Sequence, residues 1–172
     1  SLLGFGAMRL PVKEDGTVDK EQVKTMVRHA MDHGVNYFDT AWPYHDGQSE
    51  TVMGEVLSEY DRDSYYLATK YPGHQISETY DPAALFEAQL EKCGVDYFDF
   101  YLLHAQNADF FEKYKQCRAY EHAFQFKEEG RVKHVGISFH DKAEVLEQIL
   151  TEYPEIEVVQ IQFNYLDYDA VG

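Results

Sequence analysis

Basic residues are scarce in this chain. Fifteen lysines and arginines stand against 31 acids, giving a formal charge of −16 over 172 residues. A field of that sign repels nucleic acid and anionic lipid, so neither is expected as a partner. Cysteine is nearly missing as well. Cys93 and Cys117 are the only two, and neither has a second cysteine at metal-ligand spacing, so no zinc or iron–sulfur site is read from them. Two lone thiols suit a reducing, cytoplasmic setting. No apolar run is long enough to span a bilayer and no signal peptide is visible, so no membrane association is expected. Proline and glycine are sparse, with 5 and 11, and they mark no linker or internal boundary. The chain reads as one domain over 1–172. Its opening Ser1-Leu2-Leu3-Gly4-Phe5-Gly6 lacks an initiator Met and looks like the inside of a strand, so an upstream segment is expected.

What the chain does have is a steady alternation of apolar runs and amphipathic stretches. A first strand is expected over 2–8. A helix over about 19–33 follows, with Val23, Met26, Val27, Ala30 and Met31 at helical spacing. Asp19 stands at its N-cap, Gln22 completes a capping box, and Gly34 ends it. The second strand is 35–38, and a helix starts near Ser49. The third strand is 65–69. Asp81-Pro82 opens the next helix, with proline at a first-turn position where its missing N–H costs nothing, and Gly94 closes it. The fourth strand is 97–103, and one helix covers about 110–129. The fifth strand is 132–137, Asp141 caps the helix after it, and the sixth strand is 156–161.

Polar residues end these strands in one chain direction: Asp39, Lys70, His104 and Ser138. They lie 31, 34 and 34 residues apart. A (β/α)8 barrel of about 250 residues spends about 31 on each unit and puts its chemistry at the C-terminal strand ends. A doubly wound sheet also alternates strand and helix, but chemistry-bearing residues at successive strand ends favour the barrel. The expected fold class is therefore α/β, a TIM barrel, here incomplete with about six βα units and the last two absent.

Asp39, Tyr44, Lys70 and His104 suggest proton management around a small substrate. A phenol is a poor acid near neutrality. An ammonium within a few ångström stabilises the phenolate and makes the phenol a better acid. A carboxylate paired to that ammonium holds it in place, and an imidazole can donate to the same substrate oxygen. The set suits reduction of a carbonyl, with Tyr44 delivering the proton and His104 polarising the oxygen. No side chain supplies hydride, so a nicotinamide cofactor is required. A metal-dependent hydrolase fits poorly. There is no His-x-His, and a lysine is an unsuitable ligand.

The segment Gly34-Val35-Asn36-Tyr37-Phe38-Asp39-Thr40-Ala41, followed by Tyr44 and Gly47-Gln48-Ser49-Glu50, resembles the signature of the aldo-keto reductase family. Leu67-Ala68-Thr69-Lys70 resembles that family's catalytic-lysine strand, and 96–104 its catalytic-histidine strand. Residues 130–138 and Val158-Val159-Gln160 are similar to its fifth and sixth strands. The resemblance implies a barrel reductase of aldehydes or ketones using NADPH, with Asp39, Tyr44, Lys70 and His104 as its tetrad. It also implies that Ser138 and Gln160 hold the nicotinamide carboxamide, and that Gly6, Ala7 and Met8 line the cofactor cleft. Trp42 is expected at the pocket mouth. The alternative is an NADP(H)-binding partner module with little turnover, like the potassium-channel β-subunits.

Some positions depart from the family pattern. Phe139 follows Ser138 where the family often has asparagine, and His45 replaces a frequent glycine after the tyrosine. Phe139-His140-Asp141 and Tyr44-His45 resemble a branch with a C-terminal ferredoxin-like domain. An iron–sulfur cluster is expected only if such a domain lies outside this chain. The loops after strands seven and eight, which carry the cofactor-phosphate site in this barrel class, are expected beyond residue 172. Neither the substrate nor the oligomeric state can be read from the sequence.

Overall fold

The computed structural model describes residues 1–73 and 81–164. Six strands form one parallel sheet in sequential order. They are β1 (Phe5–Gly6), β2 (Tyr37–Asp39), β3 (Tyr66–Tyr71), β4 (Phe98–Gln106), β5 (Val132–Phe139) and β6 (Val158–Ile161). The helices are α1 (Lys20–Asp32), α2 (Gln48–Leu57), α3 (Pro82–Cys93), α4 (Ala108–Gln116), α5 (Ala119–Glu128) and α6 (Ala143–Glu152). The sheet is curled: Gln160 on β6 hydrogen-bonds Asp39 on β2 at 3.1 Å, though three strands lie between them. This is the incomplete (β/α)8 architecture expected from the period.

Local chemistry accounts for the helix ends. The Asp19 carboxylate accepts from Gln22 N at 3.1 Å, but the expected capping box does not close, because Asp19 N donates to Pro11 O at 2.8 Å. Gly34 takes a left-handed φ of 81°, which lets its N–H and that of Val35 bond back to Met31 and Ala30. Asp81 caps α3 through Ala83 N and Ala84 N, with Pro82 in first place. The core lies between sheet and helices, with Val23, Val27, Phe38, Leu67, Phe86, Leu103 and Ile137 shut away from solvent. On the inner face, Gly136 makes room for its neighbours. A Cβ there would fall 2.4 Å from Val158 O and 2.7 Å from Leu102 Cδ2.

Four further expectations need correction. The first strand is only two residues, because 7–9 turn into a 3-10 helix. The helix expected over 110–129 is two helices. Arg118, at φ 55°, breaks it between α4 and α5. The fourth strand runs on past His104 through a bulge, in which its register shifts from Leu103↔Ile137 to Gln106↔Phe139. Asp141 does not cap α6. Its carboxylate accepts from Ala108 N at 2.9 Å, at the start of α4, and from Lys142 N at 2.8 Å.

Candidate active site

Lys70 is the centre of the site. It is only 1% exposed, which demands that its ammonium be fully partnered. It pairs with Asp39 Oδ1, and it donates to Thr40 O at 3.0 Å and to Tyr44 Oη at 3.2 Å. Three hydrogens therefore meet three acceptors. The second Asp39 oxygen accepts from Gln160 Nε2, so the carboxylate is held from two sides.

Tyr44 is delivered by the tight loop that leaves β2. Its carbonyl accepts from Gly47 N and Ser49 N, both at 3.2 Å. His45, Asp46 and Gly47 follow with φ of 53°, 52° and 84°, a left-handed run that only glycine adopts freely. His45 is held there by an outside contact: its Nε2 accepts from Leu10 N at 2.8 Å. An acceptor Nε2 places the ring hydrogen on Nδ1. The residue standing where the family often has glycine thus ties the Tyr44 loop to the turn after β1.

The β4 bulge presents His104. Ala105 adopts φ 57°, and its N–H donates to Ser138 Oγ at 2.7 Å. Tyr114 Oη donates to the His104 carbonyl at 2.7 Å. An extra residue in one strand re-aims the side chain next to it. Here the imidazole meets the Tyr44 ring edge-on, centroids 6.0 Å apart. Below them, burial and then the Asp39 charge push the Tyr37 phenol well above its ordinary range. Tyr37 stays neutral and adds no charge to the site.

These groups border a cleft of about 600 Å³. Of the residues expected from sequence, Met8, Asp39, Tyr44, Lys70, His104, Ser138 and Gln160 line it, joined by Arg9 and His140. The remaining three stand back from it. Gly6 ends β1, and Ala7 is buried with its carbonyl accepting from Ser49 Oγ. The Trp42 ring lies under Lys92 Nζ at 4.2 Å. Sequence reasoning missed Arg9 and His140. Each directly follows or lies close to a residue already singled out, Met8 and Ser138, and that adjacency was the available signal.

The sequence model of the aldo/keto reductase family matches residues 2–171. A putative voltage-gated potassium channel subunit beta of Schizosaccharomyces pombe is 31% identical over 165 residues, covering 88% of this chain and 47% of that protein. A methylglyoxal reductase of Escherichia coli is 31% identical over 149 residues, covering 83% and 50%. Among solved structures, an aldo-keto reductase of Bacillus halodurans in its holo form superposes with a TM-score of 0.73 at 29% identity, over 96% of this chain and 54% of that one. An aldo-keto reductase of Klebsiella pneumoniae in complex with NADPH gives a TM-score of 0.75 at 23% identity, over 93% and 53%, a likeness of fold. The chain spans about half the length of the curated relatives it matches.

Proposed function

This chain belongs to the aldo/keto reductase family, and from that premise we propose that it serves the reduction of an aldehyde or ketone by hydride from NADPH, with Tyr44 as proton donor. The observation that carries this reading is the buried Lys70 ammonium, bonded at once to Asp39 and to Tyr44 Oη at the wall of a cleft.

The cleft residues fit a nicotinamide. Ser138 Oγ already accepts a backbone N–H, so its own hydrogen is left to donate. Among the described residues, Gln160 gives one amide hydrogen to Asp39, which leaves its second hydrogen and its carbonyl oxygen. A carboxamide needs both a donor and an acceptor, and these two side chains would hold it. Phe139, where the family often has asparagine, is buried in the sheet and brings no polar group to the carboxamide. When bound, NADPH supplies the hydride.

The chain's own groups manage the proton. As charge grows on the substrate oxygen, Tyr44 donates its phenolic hydrogen to it. The ammonium at 3.2 Å stabilises the phenolate left behind. Asp39 keeps that ammonium in place and offsets the cost of burying it. His104, beside the same phenol, donates to the substrate oxygen and orients it. We infer a cytoplasmic setting, supported by the two free thiols.

The potassium-channel relative supports a second reading, a cofactor-binding partner module with little turnover. NADPH oxidation against a panel of aldehydes and ketones separates the two on the full-length protein. Under the first reading, Tyr44→Phe lowers kcat by about 10²–10⁴-fold. Equal rates would remove Tyr44 as the acid. Tight NADPH binding without wild-type turnover would favour the partner module.

A further inference from the structure

The first turn of α2 carries Gln48, Ser49 and Glu50, and the chemistry above uses none of them. Each reaches a different part of the scaffold. Gln48 Oε1 accepts from Val18 N at 3.1 Å. Ser49 Oγ donates to Ala7 O and meets Thr40 Oγ1 at 2.8 Å. Glu50, fully buried, is the unusual one. Its Oε1 accepts from Thr69 Oγ1 and from Gln89 Nε2, both at 2.6 Å. Its Oε2 has no directed hydrogen bond among the described residues and faces Lys92 Nζ at 3.0 Å.

We propose that Glu50 is a positioning residue for the Lys70–Tyr44 pair. Two links run from its carboxylate. The first passes through Gln89, whose second amide hydrogen goes to the Lys70 carbonyl at 3.1 Å and whose Oε1 accepts from Tyr101 Oη at 2.7 Å. The second passes through Lys92, whose ammonium lies over the Trp42 ring, two residues before Tyr44. One buried charge thus braces the Lys70 backbone through Gln89 and the loop leading to Tyr44 through the Trp42 ring, behind the 3.2 Å Lys70–Tyr44 contact. A buried ion pair gives little net stability over a well-packed apolar substitute. Its defined directions are what an apolar group cannot supply. This inference rests on the reading of Lys70 and Tyr44 as the proton-delivering pair.

The test compares Glu50→Gln, which keeps the shape but not the charge, with Gln89→Met, which cuts the link to Lys70, both in the full-length protein. Kinetics are read with NADPH and a carbonyl substrate. The Tyr44 phenol is titrated by phenolate absorbance, taken as the difference from Tyr44→Phe, a readout that needs no turnover. Each variant is expected to lower kcat about tenfold or more with the NADPH KM little changed. The alkaline limb of the kcat profile and the Tyr44 titration should move together to higher pH, as the ammonium drifts from the phenol. A lower Tm with unchanged kcat and an unmoved titration would overturn the proposal. If the wild type shows no turnover, the functional reading fails, yet the titration still decides the role of Glu50. If Glu50→Gln does not fold, Gln89→Met decides alone.

Discussion

Replacing Gly54 by alanine should destabilise the protein, although Gly54 sits inside α2 and the same change in an ordinary helix interior stabilises by about 1 kcal/mol. The geometry decides the sign. A Cβ at Gly54 would lie 2.4 Å from Cys93 O, 2.6 Å from its carbonyl carbon and 2.7 Å from its Cα. All three are backbone atoms at the end of α3, so no side-chain rotation relieves them. Restoring ordinary contact at 3.4 Å requires α2 and α3 to move apart by about 1 Å. Overpacking of this kind costs about 1–3 kcal/mol. A backbone clash belongs at the upper end of that range, which leaves a net loss of about 2 kcal/mol after the propensity gain. In a protein of this size that lowers Tm by about 4–8 °C. Urea denaturation with an unchanged m-value measures it. Thr51→Ala, at an exposed position of the same helix, is the control and should stabilise by about 0.5 kcal/mol. A Gly54→Ala protein at least as stable as wild type would refute the close approach of the two helices.

The cysteines should differ sharply in reactivity. Burial first, and then the Glu50 charge, push the Cys93 thiol well up, whereas Cys117 is half-buried. Alkylation followed by mass spectrometry should label Cys117 in the native protein and Cys93 only on unfolding. Simultaneous labelling would show that the α2–α3 seam opens. Asp141 gives a pH signature. The backbone N–H of Ala108 and then that of Lys142 hold its carboxyl below the usual range. A depressed value means stability that is present above the unfolded value of about 3.9 and lost as pH falls through the folded one. Asp141→Ala should cost no more than about 0.5 kcal/mol at neutral pH, because solvent screens these exposed bonds, and the gap to wild type should narrow below about pH 4. A gap independent of pH would show that the charge plays no part.

The grouping of Asp39, Lys70 and His104 around one cleft was legible because they fall at or near successive strand ends at an almost even spacing, with Tyr44 in the loop just after the first of them. Helix caps were legible where they are local, as at Asp19, Gly34 and Asp81-Pro82. Features that depend on distant partners were not. Asp141 looks like the cap of the helix that follows it, but the N–H it serves belongs to α4, 33 residues earlier. The break at Arg118 carries no turn signal, since arginine has no preference for a left-handed φ. The β4 bulge is equally silent, because Ala105 lies just past the expected strand end and alanine has no preference for a left-handed φ. Glu50 did leave a trace. It shares a helix face with Met53 and Leu57, both buried, and an acid on an apolar face calls for partners.

The Gln160–Asp39 contact also sets an order in time. The Lys70–Asp39 pair spans 31 residues, whereas Gln160 reaches Asp39 over 121. Two doublings of loop length add about 1.2 kcal/mol of closure entropy, so the shorter loop closes first. On a ribosome, the lysine and its carboxylate can meet while β6 is still being synthesised. The glutamine that completes the carboxylate's coordination arrives last. The Asp39–Lys70 side of the cleft is therefore expected to form early in folding, and the Gln160 side late.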